Sequence, residues 1–490
     1  MGFAAFFYPE GSDGGGNMTA LTEKADMTVR TIQGERFTPL SLARKLGARA
    51  MLESASFLRG RERYSFLLVK EAFRVLQKGD ELVLTKDGTP FTLKSRARDI
   101  LDVLAHFSGQ FEGQRTPFPL PTGGIGYLSY EYCRRFDTIR LRERPEPAMV
   151  PEAAFLFGSV FAVFDHYTET LFLVGLSYRE KRIDIEKALD ETESRINDLD
   201  FNFMTPKNGH WPAERIGGGD REAYMAGVVA VKEEIVRGNL LQGVLSRRLE
   251  IRTEMPALEA YRRLRTLNPS PYMFFLDFDS FQLFGASPEV HVKARDGRLL
   301  IRPLAGTRRR GKTPEEDAAL EKELLADPKE RAEHLMLVDL ARNDLGRVAA
   351  PGSVEVTELM GVERYSHVMH IVSQVEAELA EGRTGLDALR ATFPAGTVSG
   401  APKIRAIEVI DGLEPDARGF YAGVVAHVES DGSLDSCIAI RSAVKMGDRI
   451  FLQAGAGIVY DSDPFREYQE TGAKLSALAK TLGLEASPCT

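Results

Sequence analysis

The feature of this sequence that most limits its possible folds is the pairing of its strand-like segments. Apolar runs are joined by short turns at 153–165 with 170–176, in FFLDFDSFQLFGAS, and in VHVKARDGRLLIRPLAGT, which turns at 295–298. Helical segments alternate with these pairs, whereas a parallel sheet needs a helical crossover after each single strand. The pattern therefore predicts an α+β fold with large, mostly antiparallel sheets and helices packed outside them.

Changes in composition predict the borders of the main segments. Residues 1–30 contain GSDGGGN without any periodicity, which predicts a flexible N-terminal tail and leaves open whether it belongs to the native chain. A first domain is expected at 31–197, where YSFLLVK and FRVLQ have the pattern of two separate short strands. Residues 198–219 concentrate proline, glycine and asparagine, so we expect a linker there. The second domain is expected at 220–486.

Composition argues against several classes of protein. A net charge of −8 offers no electrostatic attraction to nucleic acid. The longest apolar run, 153–164, is too short to cross a bilayer, so we expect no membrane partner. The 3 cysteines, at Cys133, Cys437 and Cys489, show no CxxC spacing, which argues against disulfide and thiolate–zinc frameworks. This cysteine usage indicates a cytoplasmic protein.

Two predicted helices each carry a pair of glutamates three residues apart, a spacing that places both on one helix face. Glu330 and Glu333 lie in DPKERAEHLMLVDLARNDLGR, and Glu467 and Glu470 lie in DSDPFREYQETGAKL. Carboxylates that converge from two helices suit a hard cation such as Mg²⁺. Such pairs are also common on solvated helix faces, where Glu470 would pair with Lys474. The spacing alone does not decide between these interpretations.

Three glycine-rich turns are each able to bring backbone N–H groups close to an anion. They are AGT at 305–307, GTVSGAPK at 396–403 and AGAG at 454–457, and none matches a dinucleotide or P-loop pattern. Each alone is best explained as a tight turn, but together with Arg441 and the acidic pairs they favour binding of a small dicarboxylate. His370 lies in an apolar strand, where it is either a satisfied core residue or a catalyst.

A series of motifs occurs in the following order: LLQGVLSRR, GASPE, RPLAGTRRRG, AEHLMLVDLARND, HVMHIVS, GTVSGAPK, YAGVV, IAIRSA, QAGAGIV and DSDPFREYQET. Together they resemble the chorismate-utilising enzymes over about residues 215–485. MLESA and NPSPYMF further resemble one branch of that family, the large subunit (component I) of anthranilate synthase. The resemblance implies two intertwined domains, a regulatory one at 31–197 and a chorismate-binding catalytic one at 220–486.

The resemblance also implies an activity and the residues that bind metal and substrate. Chorismate and ammonia would be converted to anthranilate and pyruvate, with Mg²⁺ clamped to the ring carboxylate of chorismate. The metal ligands match Glu333 and Glu470, with Glu330 and Glu467 as supporting residues. The substrate-binding positions match Gly306, Thr307, Tyr421, Arg441, Gly455, Ala456 and Gly457.

The catalytic residues follow from the same resemblance. Glu289 of the SPE motif matches the general acid that protonates the departing 4-hydroxyl, and His370 and Thr397 match residues tied to pyruvate elimination. Related isochorismate synthases, which use water, have a lysine base where this chain has Gln242. Aminodeoxychorismate synthases have a lysine nucleophile where this chain has Ala305. We therefore expect direct attack by ammonia rather than by water or through a covalent intermediate.

The resemblance implies further partners. Ammonia would come from a separate glutamine amidotransferase subunit (component II), because the chain shows no glutaminase nucleophile. Ser54, Pro271, Tyr272 and Met273 match a feedback site for tryptophan, although domain packing would also explain these residues. Aminodeoxychorismate synthase, isochorismate synthase and a catalytically idle aromatic-acid-binding subunit remain as alternative functions.

Overall fold

The computed structural model describes residues 25–54, 63–93, 97–144, 148, 150–200, 209, 211–365 and 368–484. Its strands are β1 (Asp26–Gln33), β2 (Ala50–Glu53), β3 (Tyr64–Lys78), β4 (Glu81–Lys86), β5 (Thr89–Thr92), β6 (Ile125–Leu128), β7 (Ala153–Asp165), β8 (Thr170–Ser177), β9 (Ala213–Gly218), β10 (Gln242–Thr253), β11 (Tyr272–Asp277), β12 (Gln282–Ser287), β13 (Val290–Arg295), β14 (Arg298–Ile301), β15 (Leu304–Arg309), β16 (Glu355–Arg364), β17 (Val368–Glu378), β18 (Gly400–Ala401), β19 (Val424–Val428), β20 (Leu434–Ile438), β21 (Ser442–Met446) and β22 (Arg449–Ile458).

Several helices begin at the capping residues that their sequences predict. α1, for example, begins after Thr38, whose side chain accepts a hydrogen bond from the Ser41 N–H, and ends at Gly47 in the left-handed conformation. The helices are α1 (Pro39–Leu46), α2 (Ile100–Gly109), α3 (Ile185–Asn197), α4 (Arg221–Val236), α5 (Ala257–Leu267), α6 (Pro314–Ala326), α7 (Pro328–Gly346), α8 (Gly385–Thr392), α9 (Gly396–Ser399), α10 (Lys403–Leu413) and α11 (Pro464–Thr481).

The strands pair antiparallel throughout the described residues, and this confirms the predicted α+β fold class. The predicted hairpins form as β7–β8, β11–β12 and β13–β14. Two other pairings join the halves of the chain: β2 pairs with β11, and β6 pairs with β19. The two halves are therefore intertwined through shared sheets. The borders at 31–197 and 220–486 stay predictions.

The sheet is covered on both faces, as β3 shows. Phe66 and Leu68 belong to one core cluster, while Leu67 and Val69, which point to the opposite face, belong to another. All 13 residues of β7 are buried for the same reason. A strand with two buried faces needs a nearly continuous apolar sequence, which is what AAFLFGSVFAVFD provides.

The structure corrects three expectations. Residues 26–30 are not part of a flexible tail, because β1 pairs with β8 along its whole length; residues 1–24 lie outside the described part of the chain. The expected linker contains β9, which pairs with β10 although it is rich in glycine. YSFLLVK and FRVLQ are one strand, β3, because β-bulges carry its pairing with β7 past Lys70 and Glu71.

No helix within the described residues is long and apolar enough to cross a membrane.

We expect Phe157→Ala to lower the free energy of unfolding by about 3–5 kcal/mol, because it deletes a fully buried ring. The Phe157 ring stacks on Phe73 at 4.7 Å and meets Phe107 edge-on at 4.8 Å. Denaturant unfolding measures the change. Leu199→Ala is the matched control, since Leu199 is 89% exposed and its truncation should have little effect. Equal effects of the two substitutions would contradict the placement of Phe157 in the core.

Candidate active site

The two acidic helices begin at aspartate caps that are followed by proline. The Asp327 side chain accepts hydrogen bonds from the N–H groups of Lys329 and Glu330 at 2.9 and 3.3 Å, and Asp463 accepts one from Arg466 at 2.9 Å. These caps fix where the first turns of α7 and α11 begin. They thereby fix the helix face on which each glutamate pair lies.

The structure brings the two glutamate pairs into one electrostatic neighbourhood. Burial raises the pKa of Glu333, against the opposing charge of Lys329, and the carboxylates of Glu330, Glu467 and Glu470 raise it further. Burial also raises the pKa of Glu467, and Glu470 acts in the same direction. Carboxylates disfavour one another's ionisation in this way only when they lie close together. Sequence spacing alone did not establish this proximity.

The chemistry of these donors fits a hard divalent cation, because a cation would relieve the repulsion among the carboxylates. Within the described residues, no three His, Cys, Asp or Glu side chains are arranged so that they would hold a metal ion. Three of the four carboxylates are paired with basic side chains, and metal binding stays a prediction. The ion pairs are Arg308–Glu330 at 2.9 Å, Lys329–Glu333 at 3.7 Å and Lys474–Glu470 at 2.8 Å.

Glu289 lies in the turn between β12 and β13 and is only 6% exposed. Burial raises the pKa of its carboxyl group to about 8, although Thr397 and Lys474 act in the opposite direction. The Thr397 hydroxyl is near enough to influence Glu289 but makes no hydrogen bond of normal geometry. A carboxyl group with this pKa is largely protonated at neutral pH and is able to donate a proton.

His370 lies in β17 and faces the glycine turn of β15. Its Nδ1 atom is 3.0 Å from the Gly306 carbonyl oxygen and 3.1 Å from Thr307 Oγ1. Because a carbonyl oxygen only accepts hydrogen bonds, we assign the proton to Nδ1 and the free lone pair to Nε2. Burial lowers the pKa of His370 to about 4, and the charges of Arg441 and Lys474 act in the same direction. The imidazole is therefore neutral at pH 7, with Nε2 as its basic atom.

Arg441 and Tyr421 form a polar corner beside β22. Burial lowers the pKa of Arg441, although Tyr421 and the Glu470 carboxylate act in the opposite direction. Burial raises the pKa of the Tyr421 hydroxyl to about 12. A Cβ atom on Gly455 would lie 2.8 Å from that hydroxyl, so only glycine leaves room for it. A buried guanidinium beside a hydroxyl is suited to binding a carboxylate.

Two of the glycine turns lie in close contact with other predicted site residues or their helices. Gly306 has a φ of +67°, and a Cβ atom there would lie 3.1 Å from Glu330 Oε2, so the turn lies against the first acidic helix. A Cβ atom on Gly457 would lie 2.5 Å from Gln242 Nε2. Ala456, between the two glycines of β22, points instead into a core cluster, so only its backbone is available to a ligand.

Lys474, expected from its spacing only as a surface partner of Glu470, lies among the candidate site residues. In the structure its Nζ also donates to the Gly455 carbonyl oxygen at 2.8 Å. Its charge lowers the pKa of Glu289 and of His370. The spacing of four residues from Glu470 was the available signal, but that signal is the same for an ordinary surface ion pair.

The four residues matched to a feedback site lie together, away from the acidic helices. Ser54, Pro271, Tyr272 and Met273 line one cavity of about 650 Å³, because β2 and β11 are paired neighbours. The Ser54 hydroxyl is buried without a hydrogen-bond partner, whereas the Tyr272 hydroxyl donates to Asp435 at 2.9 Å. A cavity of this size, with mixed polar and apolar walls, is typical of a small-molecule site.

Comparison with known proteins places the chain in a family. The family model described as chorismate binding enzyme matches residues 69–480. The chain is 59% identical to anthranilate synthase component 1 from Spirochaeta aurantia over 463 residues, which is 94% of this chain and 96% of that protein. It is 40% identical to anthranilate synthase component 1 from Aquifex aeolicus, over 91% of this chain and 92% of that protein.

A solved structure agrees with these sequence relatives. The crystal structure of anthranilate synthase component I from Streptococcus pneumoniae TIGR4 is similar with a TM-score of 0.77 and 34% identity, over 86% of this chain and 92% of that chain. This chain therefore belongs to the family of chorismate binding enzymes, and the family resemblance of its motifs is confirmed.

We expect His370 to remain neutral, with its proton on Nδ1, at every pH above about 5, because burial holds its pKa near 4. Nitrogen-15 NMR of histidine-labelled protein reports both the protonation state and the tautomer, and His370→Gln identifies the resonance. A signal that shows a proton on Nε2 alone would contradict the hydrogen bond to Gly306.

We expect Gly455→Ala to weaken chorismate binding about tenfold or more, because the added methyl group displaces the Tyr421 hydroxyl. Gly412→Ala is the matched control, since a Cβ atom there meets no atom within 4 Å. Titration calorimetry with chorismate compares the two variants. Unchanged affinity in Gly455→Ala would remove Tyr421 and Gly455 from the substrate site.

Proposed function

We propose that this chain is the chorismate-converting component of an anthranilate synthase, which forms anthranilate and pyruvate from chorismate and ammonia in tryptophan biosynthesis. The observation that carries the proposal is its 59% identity, over 94% of the chain, to a protein named anthranilate synthase component 1. The buried acid Glu289 and the neutral base His370 support it, because this reaction needs one proton donor and one proton acceptor.

The substrate would be held at its two carboxylates. Glu333 and Glu470, with Glu330 and Glu467 beside them, would hold Mg²⁺, which would supply positive charge to the ring carboxylate. The second carboxylate is bound by Arg441, a half-buried residue whose guanidinium is suited to binding a carboxylate. Contacts from Gly306, Thr307, Tyr421 and the 455–457 backbone complete the binding site.

Glu289 acts as the general acid. Its carboxyl group, protonated at neutral pH, gives its proton to the departing 4-hydroxyl, which leaves as water. Because the acid must be protonated, activity should fall as the pH rises through about 8. His370 Nε2 then accepts the proton whose removal drives the loss of pyruvate and restores the aromatic ring, with Thr397 beside it.

Ammonia is the nucleophile that is compatible with Gln242 and Ala305. Gln242 is buried beside Gly457, and an amide is not basic enough at neutral pH to deprotonate water. Ammonia needs no such base. Ala305 offers no nucleophile, so the route is direct attack rather than a covalent intermediate.

A separate glutamine amidotransferase subunit, component II, supplies the ammonia, in keeping with the name component 1 of the relatives.

Tryptophan is the feedback inhibitor, bound in the cavity lined by Ser54, Pro271, Tyr272 and Met273. The N-terminal segment 31–197 is then the regulatory domain and 220–486 the catalytic one. The enzyme works in the cytoplasm, where chorismate is used.

One assay tests the function. The purified chain is incubated with chorismate, Mg²⁺ and an ammonium salt at mildly alkaline pH, and products are identified by mass and fluorescence. We expect anthranilate and pyruvate in equal amounts, and neither product without Mg²⁺. A product that retains the enolpyruvyl group would instead identify an aminodeoxychorismate or isochorismate synthase. Binding without turnover would identify an idle binding subunit.

We expect His370→Ala to continue amination but to release pyruvate about a hundredfold more slowly, so that an aminated intermediate with its enolpyruvyl group accumulates. Mass spectrometry of quenched reactions follows both species. Glu289→Gln is the informative comparison, since loss of the general acid should stop both steps. Equal loss of amination and elimination in His370→Ala would contradict the role given to His370.

A further inference from the structure

A small cavity of about 30 Å³ is lined by Glu289 and lies against the part of α7 that follows its glutamate pair. It is enclosed by β13, α7 and the segment that joins α8 to α9. Apolar side chains such as Leu337, Leu340 and Ile301 form most of its wall. Its polar lining residues are Glu289, His291, Asp344, Thr392 and Thr397.

His291 brings an unpaired atom to this cavity. The residue is 2% exposed, and its Nε2 atom is 3.1 Å from Thr392 Oγ1. The Thr392 hydroxyl donates its own proton to the Ala388 carbonyl oxygen at 2.9 Å, so Oγ1 accepts from His291 Nε2–H. Nδ1 of His291 is then an acceptor, and it has no hydrogen-bond partner in the protein. Buried polar atoms of this kind are usually satisfied by ordered water.

The charged side chains nearby, Lys403 and Asp344, make no hydrogen bond to His291 Nδ1. Lys403 Nζ donates to both carboxylate oxygens of Asp344 at 2.7 Å and to the Thr392 carbonyl oxygen at 2.9 Å, which uses its three protons. The Thr397 hydroxyl, at the other end of the cavity, also makes no hydrogen bond of normal geometry. One unpaired atom, His291 Nδ1, therefore belongs to a residue that lines the same cavity as the Glu289 carboxyl, which the Thr397 hydroxyl influences from nearby.

We propose that this cavity binds about two water molecules, and that His291 positions the carboxyl group of Glu289 through them. The space is sufficient, because one water requires roughly 10–15 Å³ of such volume, and the polar lining offers each water several partners. Water donates to His291 Nδ1 and bridges to Thr397 and Glu289. The positioning role rests on the proposed function of Glu289 as the general acid; the water site itself does not.

The bound water also affects the ionisation of Glu289. Water solvates the carboxylate form, so its removal leaves that form more poorly solvated and raises the pKa further. The alkaline limb of the pH profile, where the acid loses its proton, would then move to higher pH. The other titratable and charged groups around Glu289 are Lys474 on α11, Asp344 on α7, Lys403 on α10, His291 on β13, and Tyr365 and His370 beside β17.

Two variants of the full chain remove the water in different ways. His291→Leu deletes the acceptor, and Ala341→Val fills the cavity, since Ala341 lines it from α7. His291→Gln should restore function, because an amide can donate to Thr392 and accept from water. Ala260→Val is the packing control: it adds the same two methyl groups in a fully buried position of another core cluster.

The measurements are a high-resolution crystal structure of the wild type and pH profiles of kcat/KM for chorismate with Mg²⁺ and an ammonium salt. We expect ordered water against His291 Nδ1, and in His291→Leu and Ala341→Val a roughly tenfold lower kcat/KM with an alkaline limb at higher pH. His291→Gln and Ala260→Val should keep the wild-type limb.

The outcomes separate the two proposals. A dry cavity in the crystal structure overturns the water site. Ordered water with an unmoved limb in both variants overturns the positioning role of His291. Full activity in Glu289→Gln would instead refute the general acid, and the crystallographic water would still stand as a binding site.

Discussion

The structure depends on backbone pairing between strands that are far apart in sequence. Met273 of β11 lies opposite Glu53 of β2, so a segment near the N-terminus forms one wall of a cavity whose other walls come from the second half of the chain. The pairing of β6 with β19 repeats this connection near the active site. Because each inter-strand hydrogen bond would be lost if the halves separated, neither half is expected to keep its shape alone. A ligand that binds beside β2 therefore contacts the same sheets that hold the catalytic residues.

The cost of taking a charged group out of water is the second constraint, and it shifts the pKa values of the two proposed catalytic groups in opposite directions. Burial disfavours the charged form of each group, so it raises the pKa of Glu289 and lowers the pKa of His370. The result is an acid that keeps its proton and a base that stays free of one at the same pH. Lys474 lies near both, where it opposes the first effect and adds to the second. A single buried setting thereby prepares both halves of the proposed reaction.

A buried ion pair lies next to Tyr421, one of the two residues of the polar corner. Arg418 and Glu414 are 2.8 Å apart and almost inaccessible, and both make further hydrogen bonds that reduce the cost of their burial. Glu414 accepts from the N–H and hydroxyl groups of Ser246, and Arg418 donates to the Val244 carbonyl oxygen. The guanidinium also lies 5.6 Å from the ring of Tyr421. Loss of either charge would leave the other unpaired beneath the tyrosine that contacts Gly455.

The sequence by itself determined the fold class and the hairpins, and it named the glutamate pairs, the glycine turns, Arg441 and His370 as candidates, because these are local patterns. The other candidate site residues, such as Glu289 and Tyr421, came from the resemblance of whole motifs to a known family. It did not determine that β9 lies in a glycine-rich segment or that β3 is continuous, since long-range pairing overrides weak local signals. Only the tertiary structure decided that the glutamates of α7 and α11 are close enough to shift one another's pKa. It also decided the protonation of Glu289 and the site role of Lys474. Proximity and burial arise here from chain segments more than a hundred residues apart, and no local pattern contains them.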